Sequence, residues 1–213
     1  MVTPVSRTTS AKKAIAHKPA KRAALTISRP EMLVNGSDQK FRQLVHSLLA
    51  FLARHSAIRE GHGAVIGLAG IEYTVLISIR HLAAEGDVGV RDVAAHLHLS
   101  GAFTTTITNR LLTKGLIDKA PHPVDKRRLC LTVTPHGDEL LDRLAPTQMQ
   151  VNDAQFNCLT AKEFHQLLDM VERLVKSSNQ AVALQHYLAE TATKAEVADL
   201  GAKRETGRKV KKT

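Results

Sequence analysis

Apolar residues recur at helical spacing in several stretches of this chain, and between two of them lies a short run where they alternate. Phe41, Leu44, Val45, Leu48, Leu49, Phe51 and Leu52 repeat every three or four positions, predicting a helix capped near Ser37 that runs to about Arg59. The stripe is wide enough for burial on more than one side. Gly61, Gly63, Gly67 and Gly70 then predict a loop or a broken segment. A second helix starts near Ile71, with Tyr73, Leu76, Ile77, Ile79 and Leu82 apolar, and stops before Gly86. Val90 to Leu97 predicts a short third helix with Val93, Ala94 and Leu97 inward, and Ser100 caps a fourth that runs to Leu112. The alternating strand is Leu129-Cys130-Leu131-Thr132-Val133. Thr134 caps the next helix with Pro135 at its first position, and Leu140, Leu141, Leu144 and Met149 follow, with a kink possible at Pro146. Thr160-Ala161-Lys162-Glu163 has the form of a capping box and opens a last helix with Phe164, Leu167, Leu168, Val171, Leu174 and Val175 on one face.

The order of these elements is informative. A short helix, a turn at His98-Leu99-Ser100 and a polar-faced helix lead through Gly115-Leu116-Ile117 to a basic hairpin, Pro123-Val124-Asp125-Lys126-Arg127-Arg128. A helix followed by a two-stranded ribbon with cations at its tip is how a winged helix-turn-helix holds DNA, the helix in the major groove and the ribbon on the backbone or in the minor groove. At about 100° per residue, Thr104, Ile107, Thr108 and Leu111 face the domain. Ala102, Thr105, Thr106 and Asn109 face outward, with Phe103 and Arg110 at the margins. The threonines suit base edges, phosphates or thymine methyls, and Asn109 suits adenine. The long apolar-faced helices on either side exceed what a bare winged helix needs, which implies a two-fold dimer presenting two such helices about 34 Å apart.

Charge sharpens this picture once it is located. The net charge is +10. Residues 1–30 hold seven Lys/Arg and no acid, and residues 201–213 hold six against Glu205 alone, so 31–200 holds 17 Lys/Arg against 19 Asp/Glu. Within that near-neutral middle, residues 91–128 carry seven Lys/Arg against Asp92, Asp118 and Asp125. Two basic tails and one local patch suit a phosphate-bearing partner. The tails alone also suit an architectural protein that coats DNA without an effector. The first 30 residues share the composition of a transit peptide, yet residues 4–30 lack its sustained apolar face. No apolar run approaches a membrane span.

These residues resemble the MarR family of bacterial transcriptional regulators. The likeness covers about Ser37 to Leu188. It is strongest in Asp125-Lys126-Arg127, with Gly115-Leu116-Ile117 before it and Val133-Thr134-Pro135-His136-Gly137 after it, which look like the family's G-L-[VI], D-x-R and L-T-x-x-G signatures. Leu68 through Leu76, with Glu72-Tyr73 and Val75-Leu76, looks like the opening of the family's second helix. The resemblance implies a mainly α fold with a small β wing. Its layout is a basic disordered arm over 1–36, a MarR-like domain over 37–190 and a basic tail over 191–213. Within the domain the winged helix spans about 68–137 and the dimerisation helices 38–60 and 136–190. It implies a bacterial, cytoplasmic, nucleoid-associated homodimer with interlocked terminal helices, binding double-stranded DNA and usually repressing. A small aromatic or phenolic effector would release it. The DNA-contacting residues are then Ser100, Ala102, Phe103, Thr105, Thr106, Asn109, Arg110, Lys126, Arg127 and Arg128. Arg127 matches the wing arginine, which Asp125 would orient by a charge-assisted hydrogen bond. Many family members carry a cation where Thr106 stands, so shape readout would weigh more here.

Other chemistries find less support. Arg42, His46, His55 and Tyr73 lie on the helices that would line the family's effector cleft and could bind a carboxylate or phenolate. No two of the 11 histidines sit at i, i+3 or i+4, so no helix offers a ready metal pair, although a zinc site assembled across chains stays open. Cys130 and Cys158 match no metal spacing, fit a reduced compartment and lack an activating partner. The chain shows no phosphate-binding glycine loop and no nucleophile with a base, so neither an enzyme nor a cofactor is expected. Lys114 and Lys119 divide between phosphate contact and ordinary surface.

Overall fold

The computed structural model describes residues 24–122 and 124–210, with side chains through Thr193. The order is a short 3-10 turn at Pro30–Met32, then α1 (Gln39–Val65), α2 (Gly70–Leu82), α3 (Val90–Leu97), α4 (Gly101–Thr113), β1 (Ile117–Pro121), β2 (Leu129–Val133), α5 (Pro135–Phe156) and α6 (Ala161–Val210). The chain divides into two compact units, and the division falls within α5, between Glu139 and Leu140.

In the first unit α2 is the hub, packing on α1, α3, α4 and β2. Val75, Leu76 and Ile79 from α2 meet a core that also holds Val93 of α3, Ile107 and Leu111 of α4, and Ile117 and Leu131 of the strands, all but withdrawn from solvent. Each such side chain contributes about 1.5–3 kcal/mol of burial. The strands pair antiparallel from Ile117 opposite Val133 to Pro121 opposite Leu129. Gly89 bridges to Cys130, and the Leu131 N–H donates to Val88 O at 2.7 Å, so the chain before α3 adds a third short edge to the wing.

Two tight helix ends set the direction of α4. At the end of α4 the Gly115 N–H bonds Leu112 O at 2.9 Å and the Leu116 N–H bonds Leu111 O at 3.0 Å, a Schellman closure that needs the left-handed backbone Gly115 adopts (φ 68°). This is the physical content of the Gly115-Leu116-Ile117 signature. At the end of α3 the same geometry falls on a non-glycine, His98 (φ 51°), and fixes the turn into Ser100. Beyond the wing, Thr134 Oγ1 accepts from the Gly137 N–H at 3.1 Å and donates to Gly115 O at 2.7 Å. A Cβ on Gly137 would collide with the Leu116 carbonyl oxygen and lie 2.8 Å from Val133 Cγ1. The Thr134–Gly137 signature is therefore a close crossing of α5 over the root of the wing.

Several boundaries differ from the sequence reading. α1 does not break at its glycines but continues to Val65, because Gly63 lets the chain reversal at Leu68–Gly70 pass against it. The turn itself falls on Gly67 (φ 73°). Asp38, not Ser37, is the α1 N-cap, and its carboxylate bonds elsewhere. It accepts from Thr26 N at 2.7 Å, Thr26 Oγ1 at 2.8 Å and Arg42 Nε at 3.0 Å. The Thr26 main-chain and hydroxyl donors, helped by Arg42, hold the Asp38 carboxyl down at about 2. Ala24 and Thr26, within the arm expected over 1–36, are thus bonded to the start of α1, and residues 1–23 of that arm lie outside the described residues. The α1 stripe, expected to be buried on more than one side, is exposed at Leu44, Val45, Leu48, Leu49, Phe51 and Leu52.

In the second unit α5 runs through Pro146 to Phe156 without ending there. α6 opens on the expected capping box, with Thr160 N donating to Glu163 Oε2 at 2.9 Å and Glu163 N to Thr160 Oγ1 at 3.3 Å. It then continues as helix to Val210, across most of the segment expected as a tail. Phe164, Leu167, Leu168, Val171, Leu174 and Val175 form its exposed apolar face. Among the described residues no single helix is long and apolar enough to cross a membrane.

Candidate nucleic-acid interface

The sorting of α4 into two faces follows from where its apolar residues fall. Thr104, Ile107, Thr108 and Leu111 are buried, and Ala102, Phe103, Thr105, Thr106, Asn109 and Arg110 are exposed. Ser100 caps the helix by accepting the Phe103 N–H at 3.2 Å. The threonine hydroxyls bond back along the helix: Thr104 to Ser100 O at 3.0 Å, Thr105 to Gly101 O at 2.8 Å and Thr106 to Ala102 O at 3.1 Å. Their protons are committed, so what Thr105 and Thr106 offer a groove in this state is an oxygen acceptor and a methyl group.

Two lysines that the sequence left ambiguous brace the helix. Lys114 Nζ meets Glu72 Oε2 at 2.7 Å and so ties the end of α4 to α2. Glu72 is 5 % exposed and also accepts the Ala69 N–H at 3.0 Å. Burial pushes its carboxyl up, but the hydrogen bonds from Lys114 and Ala69, with the charges of Lys114 and Arg110, more than reverse this and leave it below the usual range. Lys119 of β1 reaches across to Thr108 Oγ1 at 2.9 Å and Asn109 Oδ1 at 2.6 Å, and burial lowers its ammonium. An adenine bound by Asn109 would share that oxygen with Lys119.

The wing loop connects β1 to β2. Asp125 shapes it, but not as expected: its Oδ1 accepts the main-chain N–H of Arg127 at 3.1 Å, and its carbonyl accepts the Arg128 N–H at 2.9 Å. The Arg127 guanidinium has no ion pair or hydrogen bond among the described residues. Asp125 therefore sets where the arginine starts, not the direction of its fork. Arg128 Nη2 lies 3.7 Å from Asp92 Oδ2, while Lys126 is exposed at the tip. His122, which sequence reasoning passed over, accepts the Val124 and Asp125 N–H groups on Nδ1 at 3.2 and 3.0 Å and meets Asp87 through Nε2 at 3.0 Å. Its partner stands 35 positions away, so no local signal marks it.

Residues 67–128 match the MarR family model. This winged-helix segment belongs to the MarR family. The chain is similar to the HTH-type transcriptional repressor NicR of Pseudomonas putida, 24% identical over 139 residues that span 65% of this chain and 86% of NicR. Among solved structures it is similar to an Escherichia coli MarR mutant complexed with operator DNA, with a TM-score of 0.53 and 19% identity over 65% of this chain and 99% of that one. It is also similar to Bordetella bronchiseptica BpsR, with a TM-score of 0.50 and 23% identity over 61% of this chain and 90% of that one. The structures share the MarR fold.

The four residues expected to face an effector divide. Arg42 is committed to Asp38 and to Ala24 O. His46 is exposed on α1, and His55 stacks on Phe51 with ring centroids 5.8 Å apart. Only Tyr73 is buried, its phenol raised by desolvation, edge-on to His62 with centroids 5.7 Å apart. His62 is 4 % exposed, and its Nε2 and the Nε of Arg59 are buried without hydrogen-bond partners among the described residues. Burial, then the charge of His55, lowers the His62 imidazole. His55, Arg59 and His62 repeat at i, i+4, i+7, a signal hidden by ending the helix at Arg59. No group of three or more His, Cys, Asp or Glu side chains able to hold a metal occurs among the described residues.

Proposed function

We propose that the chain is a MarR-family regulator, a homodimeric repressor that reads a short palindrome and is released by a small aromatic acid. The observation that carries the DNA half is the pairing of an exposed, capped α4 face with a wing whose Arg127 side chain has no partner among the described residues. Base contacts would come from Ala102, Thr105, Thr106 and Asn109, with Ser100, Phe103 and Arg110 at the margins. Arg127 would enter the minor groove, and Lys126 and Arg128 would meet phosphates.

The exposed stripes of α1 and α6 support the dimer. Leu44 through Leu52 and Phe164 through Val175 leave two long apolar faces in water, more than a stable monomer ordinarily shows. A second copy of the chain covers both in this reading, and it sets the spacing of two α4 helices at about 34 Å. For the effector, the unpartnered buried nitrogens of Arg59 and His62 beside the Tyr73 ring supply a cation, a polar nitrogen and an aromatic wall. These suit an aromatic carboxylate or phenolate better than Arg42 does. The DNA binding of BpsR is regulated by 6-hydroxynicotinic acid, which makes that acid the first probe to try. Release would follow if the acid binds better to a spacing of the reading helices that DNA does not accept.

The experiment is a footprint across DNA flanking the chain's own gene, with random-sequence competitor, beside sedimentation of the free protein. A competition-resistant palindrome and a dimer mass, with the footprint lost on adding 6-hydroxynicotinic acid, support every part. A monomer mass removes the dimer. A footprint indifferent to a panel of aromatic acids removes the effector class.

A further inference from the structure

We propose that His122 is the positioning residue of the wing, and that it holds the wing only as a neutral imidazole. The proposal rests on the reading that the wing contacts DNA. The two N–H groups of Val124 and Asp125 converge on Nδ1, at 3.2 and 3.0 Å, so that nitrogen is an acceptor and carries no proton. The ring proton then sits on Nε2 and donates to Asp87 Oδ2 at 3.0 Å. The main-chain N–H of His122 donates to Arg128 O at 2.9 Å, closing the base of the loop. A continuous set of contacts thus runs from Asp87, through the imidazole, to the Asp125 main chain, and from the Asp125 carboxylate to the main chain of Arg127. The His122 side chain is 15 % exposed, so water reaches it poorly.

A second proton can enter only at Nδ1. It would place an N–H against the two main-chain N–H groups and cost the loop both hydrogen bonds. The charged groups around the ring do not rescue that geometry. Asp87, from the α2–α3 connection, favours the cation but is already bonded at Nε2. In the wing loop the Asp125 carboxylate is bonded to the main chain, Arg128 lies against Asp92 of α3, and Lys126 and Arg127 make no bond to the ring. On β1, Lys119 is bonded to α4 and Asp118 is exposed. Protonation therefore leaves the ring on Asp87 and frees Val124 and Asp125, and with them the placement of Arg127. This runs against the general trend, in which added positive charge on a protein strengthens its hold on phosphate.

Asparagine separates the acceptor from the titration, since its Oδ1 stands near the position of Nδ1 and does not ionise. The test uses a duplex that the wild-type protein selects from a random-sequence library, titrated by anisotropy with competitor at about pH 7.5 and at about pH 5.5. Wild type should lose affinity about tenfold on acidification, the scale of two hydrogen bonds. His122→Asn should keep most of the affinity at the higher pH and lose the acid response, and His122→Ala should bind weakly at both. A wild-type pH profile shared by His122→Asn overturns the proposal, as does full affinity in His122→Ala. Long-range nitrogen–proton spectra of the wild type test the tautomer without DNA. His122 should appear as the Nε2–H form near neutrality, and an Nδ1–H form overturns the proposal. Should the wild type select no duplex, the DNA reading fails and the spectra alone decide the tautomer.

Discussion

Alanine at Gly137 should destabilise the first unit by about 1–4 kcal/mol, although glycine-to-alanine changes in helices ordinarily help. The ordinary effect is a gain of about 0.5–1 kcal/mol from the reduced freedom of the unfolded chain. At Gly137 the new methyl would sit on the Leu116 carbonyl oxygen, with Val133 Cγ1 at 2.8 Å. That carbonyl cannot swing aside freely, because it accepts the Thr134 N–H at 3.1 Å, and Thr134 Oγ1 holds Gly115 O at 2.7 Å. Overpacking costs about 1–3 kcal/mol, and a strained or lost hydrogen bond adds about 0.5–1.5 kcal/mol. Gly61, also helical, has nothing within 4 Å of an added Cβ and serves as the internal control. Urea unfolding followed by circular dichroism, at one protein concentration, should lower the Gly137→Ala midpoint by about 1 M or more and raise that of Gly61→Ala slightly. Equal midpoints for the two variants would refute the close crossing and, with it, the physical reading of the Thr134–Gly137 signature.

Other outcomes follow from the same contacts. Replacing His98, which holds a left-handed backbone at φ 51°, with glycine should stabilise the fold by about 1 kcal/mol, measured as a higher melting temperature with unchanged cooperativity. Acid should unfold the protein in steps. Glu72, held below its usual 4.5, contributes stability above that value and loses it as pH falls through the lowered one; Asp38 does the same from 3.8 down to about 2. His62, lowered from 6.5, contributes stability above 6.5 that declines as pH falls below it. Urea midpoints against pH should show this order, and Glu72→Gln should flatten the portion just below pH 4.5. Lys114→Met should lower stability by about 1–3 kcal/mol by leaving the buried Glu72 carboxylate without its cation, and the loss should shrink once Glu72 is protonated.

The reading helix and wing were legible because their signals are local. Ser100 caps α4 within one turn, Gly115 closes it within two residues, and Thr134 and Gly137 meet three positions apart. The α1 helix was cut short because glycine reads as a break when its own segment is all that is visible. The reason for Gly63 lies across the turn, at Leu68, and ending the helix early concealed His62. The charge of 191–213 reads as a tail, although the run of Ala, Glu and Lys within it also favours helix. Asp125 was assigned to a guanidinium because a D-x-R spacing suggests a pair, whereas the shorter path led to the main chain. His122, and the bonds of Lys119 to α4, could not be found from spacing, since each side chain acts through a partner on another element.

The most direct test of the account is an Arg127→Ala titration on the duplex the wild-type protein selects, repeated over a range of salt. Affinity for that site should fall about 10- to 100-fold and the salt slope by about one, with circular dichroism unchanged. Binding within about twofold of wild type at every salt concentration would contradict the claim that this wing reads DNA.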